Sequence, residues 1–219
     1  MPMEFLYDPA TPAQAGAVTL ILLPGANIRP EDFFEQGFVA ALKRPVSAVP
    51  VRAHVGYYLD DTLVETLEND VLAPLRSRGH SRFWLAGISL GGFGALSFLR
   101  ARRHAVEGAL LLSPFLATTG VITEVTRAGG LDRWEAEATC GDRERQFIAW
   151  LKALAADSLV LRQTFLGCGR SDRFVAASRL LAQRLPAGRV VSAEGGHDWQ
   201  TWRSLWQLLL DLDPFAPCP

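Results

Sequence analysis

Apolar and polar positions alternate between two kinds of segment along this chain. Short runs rich in Val, Leu and Ile, several closed by Gly or Pro, occupy residues 18–23, 46–51, 82–86, 109–112, 162–166 and 189–192. Each is short enough for a buried strand. Longer amphipathic runs lie between most of them. Residues 30–43 read as a helix with Pro30 near its first turn. Residues 61–78 place Leu63, Leu67, Val71 and Leu75 on one face, with Asp60 or Asp61 as N-cap. Residues 90–103 form a helix packed closely through Gly91, Gly94 and Ala95; further helices run from about 174 to 185 and over 199–210. Strands alternating with helices predict an α/β fold: a mostly parallel, doubly wound sheet with helices on both faces. The tail 213–219, with three Pro, cannot continue a helix.

One stretch breaks the rhythm. About 45 residues separate the strand ending near Ser113 from the one starting near Leu161, too many for a plain crossover. Phe147, Trp150, Leu151 and Leu154 fall at helical spacing inside it. The segment 115–157 is therefore expected to hold the crossover helix and a small helical cap within a single domain spanning 1–219.

Composition narrows the classes. The chain has 219 residues, enough for one medium domain with a real core. With 22 Lys and Arg against 23 Asp and Glu, and the basic residues scattered, no nucleic-acid partner is expected. No run approaches the roughly 20 apolar residues that span a bilayer, so no membrane partner is expected either. The N-terminus lacks the basic and apolar regions of a signal peptide. Cys140, Cys168 and Cys218 show no C-x-x-C spacing, which suits a reducing, cytoplasmic location and gives no metal framework.

The chemistry concentrates at Gly87-Ile88-Ser89-Leu90-Gly91, a G-x-S-x-G run between a strand and a helix. That context is a nucleophile elbow: Ser89 sits on a sharp turn, and side chains at 87 or 91 would strike neighbouring backbone. A serine hydroxyl needs an adjacent base. In a parallel sheet the site lies at the carboxyl ends of the strands. His80 and His104 precede strands and belong to the opposite edge. His54 follows a strand, but His197, in Glu194-Gly195-Gly196-His197, follows the last strand on a close-approach loop and is the expected base. Asp172, past the strand 162–166, is the expected acid; Asp198 is a rival, and Asp172 could instead cap the following helix. The order Ser, Asp, His is that of α/β-hydrolases. Oxyanion donors are expected from the backbone of Leu90 and, in Leu23-Pro24-Gly25-Ala26-Asn27, of Ala26, with Asn27 the alternative.

The segments LLPGAN, GISLGG, GRSDRF and GGHDWQTW resemble, in order and over most of the chain, those of the α/β-hydrolase superfamily. The GGHDW run is similar to that of the esterase D and enterochelin-esterase branch. The chain departs from it at Pro24-Gly25, where many relatives carry His-Gly. The resemblance implies an α/β-hydrolase fold and hydrolysis of a small-molecule carboxylic ester, with no metal or organic cofactor. Thioesterases, acyltransferases and non-catalytic binding homologues use the same parts. Asn27, Ile28, Tyr57, Phe93, Phe115 and Trp199 are the expected pocket residues, with Tyr58 and Trp134 further candidates; Trp202 and Trp206 read as core.

Overall fold

The computed structural model describes residues 2–7, 17–42, 46–135, 141–155 and 158–216. Cys140 and Cys218 fall outside these residues, as do parts of the 115–157 insertion. The six apolar runs become β1 (Val18–Leu23), β2 (Val46–Pro50), β3 (Arg82–Ile88), β4 (Gly108–Leu112), β5 (Thr164–Gly169) and β6 (Val190–Ala193). They form one parallel sheet in the order β2-β1-β3-β4-β5-β6. The four inner strands are buried on both faces and read as continuous apolar runs, which is why they stand out in the sequence.

Helices cover both faces: α1 (Asp32–Glu35), α2 (Val55–Leu59), α3 (Leu63–Thr66), α4 (Ala73–Ser77), α5 (Leu90–Arg102), α6 (Thr119–Arg127), α7 (Arg143–Ala153), α8 (Leu159–Arg162), α9 (Val175–Ala182) and α10 (Trp199–Asp211). Successive strand residues point to opposite faces. Leu20, Leu22, Leu110 and Phe165 pack with Phe33, Phe38, Leu205, Trp206 and Leu209 on one side. Ile21, Leu23, Leu85 and Leu111 pack with Leu67, Val71, Leu99, Val125 and Phe147 on the other. The described part of the 115–157 insertion contributes α6 and α7, and its Val121, Ile122, Phe147, Ile148 and Leu151 belong to that second core.

Three local expectations change. The helix expected over 30–43 is only α1, because Gly37 turns the chain at φ 78°. The helix over 61–78 starts at Leu63 and passes through a π-helical stretch, Leu67–Leu72, before α4. Pro74 follows that stretch; its ring and missing N–H cannot continue the i→i−4 ladder to Asp70. The strand expected over 162–166 begins at Thr164, because Ser158 caps a helical turn at Leu161 N–H and draws Leu159–Arg162 into α8.

His80 lies where the sequence places it, at the amino edge of the sheet. It is buried, hydrogen-bonded to Thr19 Oγ1 at 2.7 Å and Tyr7 Oη at 3.0 Å. Burial, helped by Arg78, pushes its pKa below the ordinary 6.5. Its neutral form is therefore favoured by folding, so its stabilisation is complete above about pH 6.5 and is lost as pH falls toward the folded-state value. Denaturant titrations from pH 7.5 to 5 are expected to show falling stability, with a shallower slope in His80→Gln.

Candidate active site

The register brings the loops that carry the chemistry to one edge. Leu23 pairs with Gly87, Ile88 with Leu112, and Gly169 with Ala193, so the chain leaves β1, β3, β4, β5 and β6 along a common carboxyl rim. Ser89 is the hinge between β3 and α5. Its φ of 55° and ψ of −115° are strained for a residue with a side chain. The strain is held by Ser89 N–H donating to Leu112 O (2.9 Å) and by Ser89 O accepting from Gly92 and Phe115 N–H (both 3.0 Å).

The flanking glycines are compulsory. A Cβ on Gly87 would lie 2.2 Å from Gly91 O, and one on Gly91 would lie 2.1 Å from Leu23 O. Both obstacles are backbone and cannot rotate away. Gly87→Ala is expected to abolish the folded elbow, read as loss of soluble protein or of the native unfolding transition.

The other two loops are laced together. Arg170 N–H donates to Ala193 O (2.9 Å) and Ser171 N–H to Gly195 O (3.0 Å). Gly195 adopts φ 123°, and a Cβ on Gly169 would stand 2.6 Å from Gly195 O. This close approach sets His197 beside both Ser89 and Asp172. His197 Nε2 is 3.0 Å from Ser89 Oγ, and Nδ1 is 2.9 and 3.1 Å from Asp172 Oδ2 and Oδ1. With Nδ1 protonated toward the carboxylate, Nε2 is left as the acceptor for the serine proton.

Asp172 also accepts Phe174 N–H at 2.7 Å in the turn ahead of α9; the N-cap of that helix is Phe174, so Asp172 is not its cap and contacts the histidine instead. Burial pushes its carboxyl pKa up. Hydrogen bonding to His197 and to Phe174 N–H, with the Ser113 hydroxyl close by, outweighs that, and the pKa lies below the ordinary carboxylate value. Asp198 is engaged elsewhere: it caps α10, accepting from Thr201 N–H (2.9 Å) and Thr201 Oγ1 (3.0 Å). His54 caps α2 by accepting from Gly56 N–H, and His104 is exposed beside Arg103.

The expected oxyanion donors sit on either side of Ser89. Leu90 is the first residue of α5, where N–H groups have no intrahelical acceptor. Ala26 lies in a tight turn closed by Ile28 N–H to Gly25 O, with Asn27 at φ 62°. A Cβ on Gly25 would lie 3.2 Å from both Ser89 Cβ and Ile88 O, so this turn abuts the nucleophile.

Of the expected pocket residues, Ile28 is half-buried and touches the space beside Gly25. Phe93 and Phe115 are half-buried and meet edge to face at 6.1 Å. Trp199 packs against Phe33, Phe38 and Trp202. Tyr57 lies near the charges of Asp70 and Glu4. Tyr58 and Trp134 are core residues: Tyr58 packs against Gly94, and Trp134 Nε1 donates to Glu124 at 2.7 Å.

Three neighbours were not legible in the sequence. Phe174 and Trp202 each stand 4.9 Å from the His197 ring, near-perpendicular to it, and clamp the imidazole from two sides. Ser113, fully buried at φ 46°, brings its hydroxyl up behind Asp172. The Ser-Pro pair after a buried strand is the one cue that could have flagged it. Cys168 is buried, and desolvation raises its thiol pKa, which disfavours the thiolate. Among the described residues no group of three or more His, Cys, Asp and Glu is placed to hold a metal, and no helix is long and apolar enough to cross a membrane.

A parallel sheet with helices on both faces, a strained serine at the rim and a histidine in hydrogen-bond reach define the α/β-hydrolase class. Residues 2–208 match the model of the family described as "Putative esterase", and the chain belongs to that family of carboxylic ester hydrolases. Among solved structures it is similar to carboxylesterase CesB of Bacillus subtilis (17% identity, 96% of this chain and 87% of that one, TM-score 0.60). It is also similar to Est1E of Butyrivibrio proteoclasticus (16%, 98% and 94%, TM-score 0.63). A third likeness is to the S-formylglutathione hydrolase FrmB of Staphylococcus aureus (16%, 89% and 80%, TM-score 0.60). No curated protein matches the chain in sequence.

Proposed function

We propose that the protein hydrolyses small or medium acyl esters by way of an acyl-enzyme, with Ser89 as nucleophile, His197 as base and Asp172 as orienting acid. The observation that carries this is the unbroken hydrogen-bonded relay Ser89–His197–Asp172 at 3.0 and 2.9 Å. Ser89 Oγ attacks the acyl carbonyl as His197 Nε2 takes its proton. Asp172 holds the ring in the required tautomer and offsets the imidazolium charge. The oxyanion forms against the Ala26 and Leu90 N–H groups, where one donor is worth about 3–4 kcal/mol. The alcohol leaves with the proton from His197. Water, deprotonated by the same nitrogen, then attacks the acyl-enzyme, and the acid departs as Ser89 recovers its proton.

The groups shown beside the relay are apolar and aromatic: Phe174 and Trp202 against the His197 ring, and Ile28 beside the Gly25 turn. These favour an uncharged group at the reacting carbonyl. The neighbours include proteins titled a carboxylesterase and an S-formylglutathione hydrolase, so oxygen and sulfur leaving groups both merit assay. A panel of p-nitrophenyl esters of acetate to octanoate, with matched thioesters, tests the reading. Turnover of the short members with a burst of nitrophenol is expected. A folded protein that turns over none of them would overturn it.

A further inference from the structure

A cavity of about 190 Å³ lies between α6 and α9. That is room for a short chain of a few heavy atoms. Its walls are short: Ala117, Ala176 and Ala177, the face of α6 that carries Ile122, and the Thr119, Thr123 and Thr126 side chains. Phe174 also lines it. That same ring stands 4.9 Å from His197, so the cavity begins one aromatic ring away from the relay.

Two cations border it, Arg127 from the last turn of α6 and Arg173 just ahead of α9. Both are exposed, and neither forms an ion pair or hydrogen bond with any described residue. The Arg173 guanidinium lies over the Phe174 ring, its Cζ 4.9 Å from the ring centroid. The walls supply no counter-charge. α9 has no carboxylate, and the one on α6, Glu124, is held by Arg145 and Trp134. An apolar slot of this size ending at two uncommitted guanidiniums is complementary to a short chain that terminates in a carboxylate.

We infer that this cavity is a subsite for one branch of the ester, and that the branch carries a terminal carboxylate a few atoms from the scissile carbonyl. The inference rests on the proposed role of Ser89, because the branch must start from an acyl carbon attacked there. The reacting centre meets apolar walls while the far end of the substrate is anchored by charge.

Two matched pairs of substrates test it at low ionic strength. The acyl side is probed by p-nitrophenyl hemiglutarate against p-nitrophenyl valerate. The alcohol side is probed by the acetate ester of 4-hydroxyphenylpropionate against that of 4-hydroxyphenylpropionamide. In one pair the carboxylate member is expected to have a kcat/KM higher by about tenfold to a hundredfold, the range of a charge-assisted contact. The Arg127→Gln/Arg173→Gln double variant should bring that ratio close to one; taking the ratio cancels any general loss of activity. No preference in either pair, or a preference that survives the double substitution, would overturn the inference.

If none of the four esters is turned over, the role of Ser89 has failed, and calorimetry with glutarate decides the cavity separately. Binding that requires the two arginines sustains the subsite. Absence of binding removes it.

Discussion

Ser89→Ala is expected to lower kcat for a p-nitrophenyl ester by about 10⁶, the order seen when the nucleophile of a serine triad is removed. Covalent labelling by a fluorophosphonate should vanish with it. The residual rate should stay above that of water, because the Ala26 and Leu90 N–H groups and His197 remain in place. The fold should not suffer. Among the described residues Ser89 Oγ hydrogen-bonds to His197 alone, and its backbone strain is carried by Leu112, Gly92 and Phe115, whose bonds are to main-chain atoms. Ala retains the Cβ and so retains the strain at φ 55°. The unfolding midpoint should therefore move little, which separates loss of chemistry from loss of structure. Labelling that persists in the variant would place the nucleophile elsewhere.

The sheet and the elbow were legible for the same reason: each rests on residues with few alternatives. A strand covered on both faces must be continuously apolar, so the inner strands β1, β3, β4 and β5 appear as runs. An elbow excludes side chains at 87 and 91, so its glycines are visible without coordinates. The His197 assignment followed from topology, since only loops leaving the carboxyl rim can reach Ser89.

The misses have physical causes too. Leu159-Val160-Leu161 is equally suited to a helix or a strand, and the decision was made by the Ser158 cap. A helix across 30–43 fits the apolar spacing, but Gly37 adopts a conformation no helix contains. Phe174, Trp202 and Ser113 converge on His197 and Asp172 from three different elements. No local pattern marks an aromatic or a serine as a neighbour across that much chain. Trp202 reads as core, and it is core; that its ring edge also meets the imidazole follows from the pitch at which α10 leaves the Asp198 cap.

Asp172→Asn is expected to cost about 10⁴ in kcat/KM, through the histidine rather than through contact with substrate. The carboxylate accepts from His197 Nδ1 and from Phe174 N–H in a site sealed from water. An amide has one acceptor oxygen and one donor nitrogen. If its oxygen stays with Phe174 N–H, the –NH₂ faces His197 Nδ1, which must then be unprotonated. The ring proton moves to Nε2 and points at Ser89 Oγ, so the nitrogen that should accept the serine proton already carries one. The loss should fall on kcat with little change in KM, and labelling by a fluorophosphonate should slow rather than disappear. Stability responds with a definite sign. Because the folded-state pKa of Asp172 lies below 3.8, ionisation stabilises the fold fully above that value and ceases to do so as pH falls through the folded-state pKa. The variant should therefore be less stable than the parent at pH 7, with the gap closing in acid. A variant within tenfold of the parent would mean that another group orients His197, and Asp198, spent on the cap of α10, is not placed to be that group.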